Sequence, residues 1–150
     1  MAISASGLYV STFVDVLDTT QLALDLDLET HKVALFTNSL TTPNFTTDTA
    51  YGVSPYNANE VSGTGYTSGG ALLTGTTFTG SGGVATFDAS DVTWSSSTIT
   101  GAKGALIYAD ALAGNNAIVL VNLGSDYSTS NGSLVISWSA SGIFALTLAA

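Results

Sequence analysis

His31 is the one histidine in the chain, and any serine triad would have to be built on it. Serine is abundant, but no G-x-S-x-G elbow frames a nucleophile. His31 therefore reads as a turn residue between two strands, and His31→Ala is expected to change nothing measurable. Asp25, Asp27 and Glu29 form a D-x-D-x-E run, the alternating oxygen pattern that hard cations use. The sharp Gly turn and distal Glu of a calcium loop are missing. The three acids read as neighbours on the wet face of a strand, with a weak cation site shared between subunits as the alternative. Asp88 and Asp91 flank a turn and Glu60 sits in a loop; nothing marks a cleft between them for a glycosidase pair. Gly63-Thr64-Gly65 lacks the third glycine of a dinucleotide fingerprint and opens no helix. No catalytic residue, cofactor or resident metal is expected.

The aromatic residues are the other chemistry-bearing set. Trp94 and Trp138 fall at inward-phase strand positions, which favours core packing over sugar stacking. Tyr51 and Tyr56 lie in a long irregular stretch, residues 38–56, together with Pro43, Phe45 and Pro55. Loops of that length in compact domains are mostly functional or mobile. Tyrosine is enriched at interfaces, so Pro43, Phe45, Tyr51, Pro55 and Tyr56 form the candidate protein–protein contact surface, a contact arm rather than a lid.

The elements that must carry these residues read as strands. In VATFDASDVTWSSSTITGAKGALIYAD (residues 84–110), runs at 84–87, 92–94 and 104–108 follow one another. Val92 and Trp94 share one face, the period of a half-buried strand. The ALIY run is apolar on both faces, as a central strand is. LALDLDL at 22–28 alternates and is expected to be a strand. KVALFT at 32–37 is a second central candidate. Short strands are expected at 66–73 and 74–79, then at 117–123, 133–139 and 143–148. Residues 8–17 balance strand against helix, and a short N-terminal helix capped by Ser6 is preferred. Roughly eight to ten short strands with closely spaced turns give one all-β domain spanning 1–150, a β-sandwich or jelly roll, with that one helix.

Composition narrows the function classes. Only 9% of residues are charged, and the net charge is −9 from eleven acids against Lys32 and Lys103. A nucleic-acid binder neutralises phosphates with Lys and Arg, and this chain has no Arg. DNA, RNA and anionic membranes are therefore excluded as direct partners. There is no cysteine for a disulfide or thiolate site. No run of about 18 apolar residues suggests a spanning helix. The first residues carry no basic start of a signal peptide, so synthesis in a cytoplasm is expected. The acceptor triplets Asn44-Phe45-Thr46 and Asn131-Gly132-Ser133 are then idle.

Four stretches, in order, carry a family likeness: LETHKVALFTNSLTTPN, NEVSGTGYTSGGALLTG, FDASDVTWSSSTITGAKGALIYAD and VNLGSDYSTSNGSLVISWSASGIFALTL. From about Asp27 to its end the chain resembles small virion structural proteins of tailed bacteriophages, of the capsid decoration or cement type. The resemblance implies a non-enzymatic protein on the outer surface of the head. It would be made in the host cytoplasm and bind the major capsid protein and copies of itself, as a homo-oligomer. A tail, neck or head-fibre component is the alternative, and a carbohydrate-binding adhesion module a more distant one. A neutral Ser/Thr/Gly surface suits such packing, because few charges need desolvating.

Overall fold

A computed structural model describes residues 3–28 and 30–149. Ten strands and one helix are present among them. The central sheet has five antiparallel strands in the order β1-β8-β7-β2-β3: β1 (Gly7–Leu8), β8 (Ala117–Tyr127), β7 (Ala102–Ala109), β2 (His31–Thr37) and β3 (Ala71–Leu73). β7 and β2 occupy the interior because each is apolar on both faces and so must be covered twice. Alternate residues sort cleanly between two cores. Val33, Leu35, Ala105 and Ile107 face one cluster, while Ala34, Phe36, Leu106 and Tyr108 face the other.

The first face is covered by the remaining strands. β5 (Val84–Asp88) lies between β10 (Phe144–Thr147) and β4 (Thr77–Ser81), and β6 (Val92–Ser97) pairs with β9 (Gly132–Ile136). Their inward residues Phe87, Val92, Trp94, Leu134 and Ile136 meet the central sheet. The all-β expectation therefore holds, with strands packed on strands across one core.

The second face is covered by chain with almost no regular structure. Ile3, Tyr9, Leu40 and Tyr56 are buried on it, with Phe45 and Tyr51 packed around them. The single helix α1 (Val10–Leu17) begins beside this layer. Thr12 is buried there and donates its hydroxyl to the Ala117 carbonyl at 2.6 Å. Ser6 does not cap the helix as expected; its oxygen accepts from the Asn122 amide on β8 at 2.9 Å.

Three other expectations need correction. Residues 22–28 form no strand. The Asp25 carboxylate accepts from the Asp27 and Leu28 amides at 3.2 and 3.1 Å, turning the chain just where a strand would need a neighbour. In 66–73 only Ala71–Leu73 is strand, because Gly69 and Gly70 take positive φ angles of 92° and 80° and break the extension. His31 is not a turn residue. It opens β2, is wholly buried, meets Phe87 edge-on and shares a 3.0 Å hydrogen bond through Nε2 with the Asp25 carbonyl.

Candidate functional site

The densest polar cluster is built by residues 59–70, the NEVSGTGYTSGG motif. β3 pairs with β2 only as far as Val33. Beyond that point the edge of β2 needs other partners, since unpaired backbone groups away from water are costly. Asn59 and Val61 supply two of them. The Thr37 amide donates to the Asn59 carbonyl and the Val61 amide to the Leu35 carbonyl, both at 2.9 Å. The third is a side chain: the Leu35 amide donates to the Tyr66 hydroxyl at 2.9 Å.

Glu60 sits at the centre of this closure. Its Oε1 accepts from the Tyr66 hydroxyl and the Gly69 amide, both at 2.7 Å. Its Oε2 accepts from the Tyr51 hydroxyl at 2.9 Å and from Ser68 Oγ at 2.8 Å. Tyr51 stacks on Tyr108, with centroids 4.5 Å apart and planes 10° from parallel, and Tyr108 donates to the Gly69 carbonyl at 2.9 Å. The carboxylate thus joins the covering loop, the glycine motif and the central sheet. Burial pushes the Tyr66 hydroxyl well above the usual phenol range, and the neighbouring Glu60 charge adds to it. Burial also raises Tyr51 and Tyr108. At neutral pH these phenols keep their protons; Tyr66 accepts from the Leu35 amide while it donates to Glu60, and four donors occupy the carboxylate. Every bond in the cluster ties one part of the fold to another.

Glu60→Gln is expected to cost about 2–3 kcal/mol, because an amide nitrogen would then face donors and leave at least one unsatisfied. Tyr51→Phe removes one of the four bonds and should cost about 1 kcal/mol. Urea midpoints of the two variants check this, and near-equal values would reject the central role of the carboxylate.

The other candidate groups do not converge. Glu29 lies outside the described residues. Asp25 and Asp27 are joined side chain to side chain, a bond that draws the Asp25 carboxyl down and pushes Asp27 up. Among the described residues no group of three His, Cys, Asp or Glu is placed to hold a metal ion. Asp88 accepts from the Ala89 amide and Asp91 from the Trp138 amide, so each secures local backbone. Trp94 is buried in the first core, and Trp138 is half-buried, its Nε1 donating to the Ser90 carbonyl. Of the four aromatics weighed for sugar stacking, Trp94 and Tyr56 are buried, while Trp138 and Tyr51 are half-buried and hydrogen-bonded within the fold.

The expected contact surface is redistributed. Pro55 and Tyr56 are buried within their own chain. Tyr56 is 2% exposed, meets Phe36 edge-on and exchanges a hydrogen bond with the Tyr9 hydroxyl. Phe45 lies over Gly7 and tilts against Tyr9 at 5.4 Å, and Pro43 is half-buried. Residues 38–56 are thus a covering layer, because among the described residues no second sheet lies over this face. The surface that sequence reasoning missed lies elsewhere. Val10, Val14 and Leu17 stand on the outer side of α1, with Phe78 and Leu148 also exposed. The spacing of 10, 14 and 17 is the signal that could have found it, as one stripe of a helix.

No family model matches the chain, and neither the curated proteins nor the solved structures contain a significant match to it.

Proposed function

We propose that this chain is a structural protein of a tailed bacteriophage particle, most specifically a decoration protein that coats and stabilises the outside of the head. One observation carries the reading: Glu60 and His31 are engaged in holding the fold, while an apolar face on α1, β4 and residues 146–148 is turned outward. A protein so arranged works by fitting surfaces together. The motifs that carry the phage resemblance support the same role, because Glu60, Tyr66 and Gly70 act within the fold. The net charge of −9 suits a position away from packaged DNA. Repeated weak contacts to the major capsid protein and to further copies, multiplied by shell symmetry, would supply the affinity.

Purified protein added to heads stripped of their coat should rebind at one fixed ratio to the major capsid protein and raise their resistance to heat. Uptake confined to a single vertex or to tails would move the protein to a neck, tail or fibre position. No uptake at all would reject the particle reading.

A further inference from the structure

Beyond the reading above, we infer that the groove between α1 and the β10-β5-β4 sheet is a docking site for a segment of another protein in which apolar residues are flanked by lysine or arginine. The groove has a volume of about 760 Å³, with walls that include Phe13 and Leu17 of α1, Leu22 and Leu24, Phe78 of β4 and Leu146 of β10. A second depression of about 540 Å³ continues it over Val10 and Val14, sharing Phe13, Leu17 and Leu146. Leu17 is 85% exposed and Leu148, at the groove's end, 77%. Monomeric proteins rarely leave so continuous an apolar face uncovered.

The charge around the groove selects the occupant. Asp25 and Asp27 line the first depression and Asp18 the second, and no lysine lines either. An apolar strip with an acidic border pairs with an apolar strip that has a basic border, since like charges facing each other across an interface are costly. A second copy of this chain cannot supply that border. It has no arginine, Lys32 is paired with Asp110 at 3.1 Å, and Lys103 donates to the Gly124 carbonyl at 2.7 Å. Self-docking would set acid against acid. An anionic lipid surface would meet the same repulsion. In the partner, leucine-like side chains would fill the groove and supply affinity, while the cationic flanks set register and speed encounter.

The test uses the full chain and three labelled synthetic peptides of equal length, followed by fluorescence anisotropy. One alternates leucine-rich and lysine-rich positions on an amphipathic helix, one replaces lysine by glutamate, and one replaces leucine by serine. The Leu–Lys peptide is expected to bind at least tenfold more tightly than either of the others, and more weakly as salt rises. Leu17→Gln with Leu148→Gln should weaken it at least tenfold, and Asp18→Asn with Asp27→Asn about threefold. Asp126→Asn on β8 should leave it unchanged. Equal binding of the Leu–Lys and Ser–Lys peptides would show attraction to bulk negative charge alone and overturn the assignment. So would binding indifferent to the groove variants, or a sedimentation-detected dimer that the leucine variants abolish. The peptide comparison on the unaltered chain decides the matter even if a variant folds poorly. Heads that take up the protein while the peptides fail would reject the groove's role and leave the particle reading standing.

Discussion

Raising the pH past about 10 is expected to unfold this protein in one steep step. Tyr9, Tyr56 and Tyr108 are each no more than 2% exposed. Burial is the first cause that pushes all three hydroxyls above the ordinary phenol range; the neighbouring Tyr56 adds to Tyr9, and the charge of Asp110 adds to Tyr108. In the unfolded chain these groups titrate at about 10. Above that pH the unfolded chain releases protons that the folded chain keeps, so the proton count favours unfolding as pH rises. The stabilisation is fully present below about pH 10 and is lost above it. Each such group contributes about 1.4 kcal/mol per pH unit, so three give about 4 kcal/mol per unit. A domain holding about 5–15 kcal/mol would lose most of that within about two to three units. An alkaline titration should show tyrosinate absorbance and loss of near-ultraviolet circular dichroism rising together. Gradual tyrosinate formation with the dichroism retained would contradict the buried placement of these rings.

The second large effect is expected at Gly70. Its φ is +80°, and a Cβ placed there would lie 1.8 Å from the Val33 carbonyl oxygen and 2.4 Å from its carbon. The obstacle is backbone of the central strand β2, which cannot swing aside as a side chain would. Gly70→Ala therefore combines left-handed strain with a forced shift of β2 and should cost about 3–5 kcal/mol. Gly52→Ala separates the two causes. Gly52 has a similar φ of +83° but nothing within 4 Å of its Cβ position, so strain alone, about 1–2 kcal/mol, should remain. Equal urea midpoints for the two variants would show that the close approach at Gly70 carries no cost. Gly63, whose Cβ would fall 1.9 Å from the Thr98 carbonyl oxygen, should behave like Gly70.

These glycines mark where the chain was readable and where it was not. The strands that formed as expected are those whose apolar residues match the strand period over several positions, such as β6 with Val92 and Trp94 inward, or that are apolar on both faces, as β2 and β7 are. The same alternation misleads at residues 22–28. A strand needs a paired edge as well as a pattern, and Asp25 offers the backbone amides a nearer acceptor than any neighbouring strand. The clustering of Tyr51, Tyr66, Ser68 and Gly69 around Glu60 had a visible ingredient in the glycine-rich motif. Its purpose, closing the edge of β2 beyond Val33, follows from where β3 stops, and sequence spacing carries no such information.

By itself the sequence determined the all-β character, the central rank of β2 and β7, and the shortage of positive charge, because periodicity and composition belong to the chain whatever it touches. Only the tertiary structure decided that the proline- and tyrosine-bearing loop covers a core, that His31 is buried, and that the outward apolar face lies on α1 and the strands beside it. Burial is settled between pairs of segments. A residue's neighbour across the fold is chosen by which faces are left open, and no local pattern records that choice.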